Sequence, residues 1–153
     1  NFCIEGERKE LEATLSRVAG LVINDEEARQ LTGIANLVGA ADAIRRLGPS
    51  TVIVKRGEHG ALLFDEAGVF AAPAFPLREV KDPTGAGDSF AGGFMGALAS
   101  GGSLAPDAMR RAVIYGSVLA SFCVERFSLD RFRTLTRAEI DERFEQFRRL
   151  TRF

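Results

Sequence analysis

KDPTGAGDSFAGGF, residues 81–94, decides the reading of this chain. An Asp precedes a Pro, two Gly flank an Ala, and an acid opens a helix-like run that carries more glycines. Asp82 stands before Pro83, which biases its backbone to the extended region. Gly85 and Gly87 permit positive φ and remove side chains from the path of an approaching ligand. With Asp88 starting a helix, the product is a run of free backbone N–H groups backed by the positive end of the helix dipole, which is an anion site. The loop is not a P-loop, because G-x-x-x-x-G-K-[ST] is absent. It is not a dinucleotide fingerprint either, because Phe90 stands where the third Gly belongs.

A carboxylate beside an anion site costs energy, and two uses are open. Asp88 can accept a proton from a hydroxyl attacking a phosphoryl group, while Gly85, Ala86 and Gly87 steady the charge on the transferred phosphate. Alternatively, Asp88 is a plain helix cap. The run that follows tilts the balance. Gly92, Gly93 and Gly96 each weaken a helix by roughly 1 kcal/mol relative to Ala. Phe90, Ala91, Phe94, Met95, Ala97 and Leu98 make it apolar nearly all round, which predicts a buried helix over about 88–100 with glycines for close packing. A central helix aimed at a cleft suits a catalytic element.

Working outward, residues 7–19 place Leu11, Leu15 and Val18 on one helical face. LVIN (21–24) is a short apolar strand, and residues 25–33 form an acid-started helix closed by Gly33. Residues 36–47 form an amphipathic helix capped by Asn36 and ended by Gly48-Pro49. TVIVKRG (51–57) is a buried strand, GALLFDEAG (60–68) a strand entering a turn, and VFAAPAF a Pro-interrupted edge strand. Helices follow over about 106–124 and 136–150, the last with Ile140, Phe144 and Phe147 inward. Helices alternating with apolar strands predict an α/β layered domain with a mostly parallel sheet.

The 153 residues suffice for one domain with a core. A net charge of −1 gives no electrostatic argument for nucleic acid or an anionic membrane. The apolar runs are shorter than a membrane span, and the first ten residues lack a signal-peptide core. Cys3 and Cys123 have no metal-ligand spacing and read as reduced core residues of a cytoplasmic protein. The single histidine, His59, falls in a turn between strands and reads as exposed.

DPTGAGDSFAGGF closely resembles the second signature of the ribokinase-like (PfkB) family of carbohydrate kinases. Two further segments agree in order and spacing. Asn24-Asp25-Glu26-Glu27 resembles the family's N-x-x-E element, and VIVKRGEHGALLF resembles its strand–glycine-turn–strand segment near the nucleotide phosphates. The resemblance covers essentially all of 1–153, but only the C-terminal, nucleotide-binding half of a typical member. It implies a ribokinase-like three-layer α/β/α fold, present as its C-terminal portion, without the N-terminal half that carries the sugar site and β lid. Asn1 then reads as the cut end of something longer, self-associated or homodimeric through the surface left uncovered.

The resemblance also assigns roles. Asp88 is the general base, and the backbone of Gly85, Ala86 and Gly87 is the anion hole. Asn24 and Glu27 organise Mg²⁺ through its waters; read from the residues alone, they are a strand end and a first-turn acid. Asp82 and Thr84 match positions that bind a monovalent cation, usually K⁺, in some members; as a residue, Asp82 is equally a turn former. Lys55, Gly57 and Gly60 lie where members approach the nucleotide phosphates. Gly116, Ser117, Ala120 and Ser121 match the small residues lining the adenine pocket, with Tyr115 either stacking on a base or in the core. The sequence SFCVE followed by FS departs from the usual pattern, which leaves the remaining cation ligands unassigned. The implied activity is transfer of the γ-phosphate of ATP to a sugar hydroxyl. The alternatives are a nucleoside kinase of the adenosine kinase type and a non-catalytic nucleotide-binding fragment.

Overall fold

In the computed structural model, which describes residue 4 and residues 6–152, the chain divides into two units. Cys3 lies outside the described residues. The first unit, Asn1–Gly57 with Ala61–Ala71, begins with helix α1 (Arg8–Leu15) and strand β1 (Gly20–Asn24). Helices α2 (Asp25–Thr32) and α3 (Leu37–Arg46) lead to strand β2 (Thr51–Lys55). A 3₁₀ turn, Gly57–His59, then precedes β3 (Ala61–Asp65) and β4 (Gly68–Ala72).

The sheet runs β1-β2-β3-β4 and is mixed. β1 and β2 are parallel, from Gly20 opposite Thr51 to Asn24 opposite Lys55. The two intervening helices supply the crossover that a parallel pair requires. β2 and β3 are antiparallel, from Val52 opposite Phe64 to Lys55 opposite Ala61. The short 3₁₀ turn permits only that direction, which is why the expected parallel character holds at β1–β2 and stops at β2. β4 ends at Ala72, before Pro73, and lies last in the strand order.

Local chemistry sets these boundaries. Asn36 Oδ1 accepts the N–H groups of Val38 and Gly39 at 3.0 and 3.1 Å, opening α3. Gly33, left-handed at φ +71°, closes α2 with its N–H on the Arg29 carbonyl. The core of the unit gathers Leu15, Ile23, Leu31, Ile44, Val52, Val54 and Phe64, each buried side chain of this size contributing about 1.5–3 kcal/mol. Leu15 and Leu11 pack as the spacing predicts. Val18, expected on the same face, is 37 % exposed because the helix stops at Leu15.

The second unit, Glu58–Gly60 with Ala72–Phe153, is carried by helices α4 (Ala86–Gly101), α5 (Pro106–Cys123) and α6 (Arg137–Leu150). Pro106 takes the first turn of α5, where its missing N–H costs nothing. α6 opens with a reciprocal cap between Thr136 and Glu139. Phe144 and Phe147 are buried and Ile140 packs beside them, as expected, against Val118 and Phe122 of α5.

α4 departs from the expectation of a helix buried all round. Phe90 and Phe94 are buried, whereas Met95 is 59 % exposed and Gly92 and Gly96 have open space where a Cβ would stand. Apolar composition marks every side of a helix alike and does not say which sides have neighbours. Gly93 does serve close packing: a Cβ there would lie 2.8 Å from the Tyr115 carbonyl oxygen. Gly116 on α5 meets the Phe90 carbonyl oxygen at the same distance. The two helices therefore approach backbone to backbone at two glycines.

A cluster of charges lies at the end of α5. Glu125 accepts from Arg143 at 2.6 Å and from Arg131 at 3.2 Å, and Arg131 also pairs with Glu139. Both guanidinium groups lie over the Phe122 ring, at 3.5 Å for Arg143 and 4.9 Å for Arg131. Among the described residues no helix is long and apolar enough to cross a membrane.

Candidate functional site

The loop before α4 is fastened to the end of α5 and to the turn beyond it. Lys81 and Asp82 donate their N–H groups to the Val124 carbonyl at 2.8 and 3.4 Å. Asp82 Oδ1 accepts the Thr84 N–H at 2.9 Å, a tight side-chain turn. Asp82 Oδ2 accepts the Ser128 N–H at 3.2 Å, across 46 residues of sequence. The Cys123 thiol donates to the Thr84 carbonyl at 3.4 Å. Hydrogen bonds from Thr84 first, and then Ser128, hold the Asp82 carboxyl below its ordinary value. Asp82 has the geometry of a turn former here.

Gly85 then takes φ +80° and ψ 0° as the residue before the helix. An added Cβ would meet only the Cys123 sulfur at 3.7 Å, so the left-handed backbone rather than space requires glycine here. α4 begins at Ala86, two residues earlier than the sequence predicts. Asp88 thus stands in the first turn of the helix instead of at its cap, and it is exposed. The Ala86 N–H is turned onto the Pro83 carbonyl at 3.2 Å, and the Gly85 carbonyl takes the Ser89 N–H at 2.9 Å. Gly87 and Asp88, at the second and third helical positions, have no carbonyl four residues back within the helix to receive their N–H groups. Free N–H groups at a helix start with a carboxylate at the rim are an arrangement that can accept an anion.

A second group of expected residues lies in the first unit, at the C-terminal ends of the parallel strands. Asn24 closes β1 and stands opposite Lys55, which closes β2. Strand ends of this kind are where parallel sheets meet ligands. Asn24 and Glu27 also hold each other: Asn24 Oδ1 accepts the Glu27 N–H at 2.7 Å, and Glu27 Oε2 accepts the Asn24 N–H at 3.1 Å. The N-x-x-E spacing is therefore a capping box in its own right, a structural role the sequence reading did not name. Gly57, at φ +53°, has nothing near its missing Cβ and is open to close approach.

Gly60, buried at φ +82°, is glycine for another reason. A Cβ there would stand 2.0 Å from the Ala72 carbonyl oxygen, so the chain's own backbone occupies the space. His59 is exposed, as expected.

The small residues of α5 also find partners within the second unit. Gly116 is the close approach to Phe90 described above. Ser121 donates to the Val118 carbonyl at 2.7 Å and accepts from Arg143 at 3.1 Å. Ser117 is buried and Ala120 half-buried. Tyr115 stacks on Phe144 with ring centroids 4.5 Å apart, which places it in the core rather than against a base. The partners that sequence reasoning missed are Cys123, Val124 and Ser128, because no local pattern marks contacts made across 39 or more residues.

The site invites comparison with known proteins. The family model described as pfkB family carbohydrate kinase matches residues 4–133. A cytidine kinase from Thermococcus kodakarensis is 39 % identical over 94 residues, 60 % of this chain and 33 % of the relative. An aminoimidazole riboside kinase from Salmonella typhimurium is 37 % identical over 94 residues, 59 % of this chain and 29 % of the relative. Among solved structures, ribokinase from Thermotoga maritima superposes with a TM-score of 0.73 at 30 % identity, covering 88 % of this chain and 44 % of that one. Aminoimidazole riboside kinase from Salmonella enterica, solved with aminoimidazole riboside and an ATP analog, gives a TM-score of 0.76 at 24 % identity. That match covers 94 % of this chain and 46 % of the other. The chain thus spans less than half the length of the proteins it matches here, and its α/β fold is part of the ribokinase-like one.

Proposed function

The chain belongs to the pfkB family of carbohydrate kinases, and on that premise we propose that it is the nucleotide-binding part of an enzyme moving the γ-phosphoryl group of ATP to a sugar hydroxyl. The observation that carries the reading is Asp88, exposed in the first turn of α4, beside the N–H groups of Gly87 and Asp88 on a loop fastened at Asp82 and Thr84. Asp88 would take the proton of the acceptor hydroxyl as its oxygen bonds to the γ-phosphorus. The bond from that phosphorus to the bridging oxygen breaks, and ADP leaves with the electron pair. The helix N-terminus would hold the charge that develops on the phosphoryl oxygens. The Ala86 N–H, engaged with Pro83, contributes less to this than the loop sequence implies.

Asn24 and Glu27 fit an indirect role toward Mg²⁺. Their cap uses one carboxylate oxygen of Glu27 and leaves the other for a water of a phosphate-bound ion. Such an ion keeps most of its water shell and, when bound, neutralises phosphate charge. Lys55 and Gly57, at the open end of β2, are the residues of the strand–turn segment that suit a phosphate. A nucleoside acceptor is the second reading, favoured by the names of the two curated relatives, cytidine kinase and aminoimidazole riboside kinase.

ADP release by this chain tests the proposal, with ATP, Mg²⁺ and a panel of sugars and nucleosides. Turnover should fall by about 10²–10⁴-fold in Asp88→Asn, with ATP binding by calorimetry retained. Equal turnover in the variant would remove Asp88 from the chemistry. ATP binding without turnover on any acceptor would mean that this chain holds the nucleotide part of an active site and not the acceptor part.

A further inference from the structure

Glu125 meets two arginines with separate oxygens. Its Oε1 accepts from Arg143 at 2.6 Å and its Oε2 from Arg131 at 3.2 Å. Both guanidinium groups are largely buried and lie over the Phe122 ring. Each is also tied to α6: Arg143 is a residue of that helix, and Arg131 pairs with Glu139 on it. A carboxylate has one oxygen for each guanidinium, whereas a carboxamide has an acceptor for only one of them.

The same residue stands between the two points that fasten the loop at 81–84. Val124, just before it, accepts the Lys81 and Asp82 N–H groups. Ser128, three residues after it, donates to Asp82 Oδ2. The Glu125–Arg131 pair joins the ends of the segment 125–131, which has Ser128 near its middle. Ser128 is held at φ +52°, the one non-glycine residue with positive φ among those described. A serine seldom adopts that backbone. A local turn, from the Asp130 N–H to the Phe127 carbonyl at 3.3 Å, also spans it.

We propose that Glu125 is a positioning residue for the loop that leads to Asp88. Its two ion pairs hold the segment 125–131 to α6, and through Val124 and Ser128 that segment holds Asp82. That the loop serves phosphoryl transfer rests on the kinase reading; that Glu125 holds the loop does not.

Amide hydrogen exchange of the whole chain tests it. In Glu125→Gln, Lys81 and Ser128 should exchange at least about tenfold faster, while Val118 in α5 and Phe147 in α6 stay within about twofold. Arg131→Gln, which opens the clamp from its other end, should give the same local pattern. Arg148→Gln, which loses only an exposed pair with Glu145, should change none of these amides. Unchanged exchange at Ser128 in both clamp variants would show that the local turn suffices and would overturn the proposal. Equal loss of protection at Val118 and Phe147 would make Glu125 a support for the whole unit, and would overturn it too. In Asp82→Asn the bond from Ser128 is already weakened, so adding Glu125→Gln should speed Ser128 by less than it does in the native chain; fully independent effects would refute the route through Asp82. ADP release with ATP, Mg²⁺ and the acceptor panel should fall by about tenfold or more in Glu125→Gln, the cost of a misplaced reacting group. Undiminished release would overturn the positioning role. A native chain that neither binds ATP nor releases ADP counts against the kinase reading, and the exchange rates still decide whether Glu125 holds the loop.

Discussion

Gly93 and Gly92 are neighbours on α4 with opposite surroundings, and alanine should stabilise at Gly92 and fail to stabilise at Gly93. Both substitutions gain the same helix propensity, about 1 kcal/mol. At Gly92 nothing lies within 4 Å of the added methyl, so Gly92→Ala should stabilise by close to that amount. At Gly93 the methyl would lie 2.8 Å from the Tyr115 carbonyl oxygen and 3.1 Å from Leu119 Cβ and Cγ. A carbonyl within a helix cannot swing aside as a flexible side chain can, so α4 and α5 must separate. Overpacking of this kind costs about 1–3 kcal/mol. Because propensity cancels between the two variants, their difference isolates that cost. Urea denaturation of both variants measures it, and thermal midpoints should differ by at least about 2 °C, taking about 2–4 °C per kcal/mol for a chain of this size. Equal stabilisation by the two alanines would refute the claim that the helices meet backbone to backbone at Gly93.

Gly60→Ala should destabilise far more than Gly57→Ala in the same denaturation assay. Both must hold a left-handed backbone, at about 1–2 kcal/mol, but only at Gly60 does the methyl strike a carbonyl oxygen, that of Ala72. Glu139 is held at about 2, below its ordinary 4.5, by the Thr136 N–H foremost and then by Arg131 and the Thr136 hydroxyl. Since the folded value is the depressed one, its stabilisation is complete above about 4.5 and is lost as pH falls toward 2. A carboxyl NMR titration of Glu139 with a midpoint near its ordinary value would contradict that assignment.

Much of this architecture is legible in local sequence, because local chemistry produces it. LVIN and TVIVK are strands since apolar β-branched residues suit a buried sheet. Asn36 and Gly33 announce the ends of helices because a side-chain oxygen and a missing Cβ solve problems that arise at those ends. The loop at 82–88 is legible for the same reason. What sequence does not disclose is which of several equivalent residues has a neighbour. Gly92, Gly93 and Gly96 look alike, yet only Gly93 is pressed against another helix. Gly57 and Gly60 look alike, yet one faces open space and the other its own chain. Ser121 reads as a small residue, and its hydrogen bond from Arg143, 22 residues away, has no mark in the local sequence. α4 starts two residues before the sequence predicts because Gly87 is a poor helix former, and the left-handed turn at Gly85 that launches the helix leaves no mark beyond the glycine itself.

The charge cluster at the end of α5 bears on how the loop attracts an anion. Arg131 and Arg143 are 12 % and 15 % exposed at their side chains and are matched by Glu125 and Glu139, so the four groups sum to no net charge. A neutral set of this kind has a field that dies away within a few ångströms and does little to draw a distant polyphosphate. On the proposed reading, the main-chain dipoles at the start of α4 are short in range and fixed in direction. The cluster therefore braces the end of α5 without adding net charge that an approaching anion would feel.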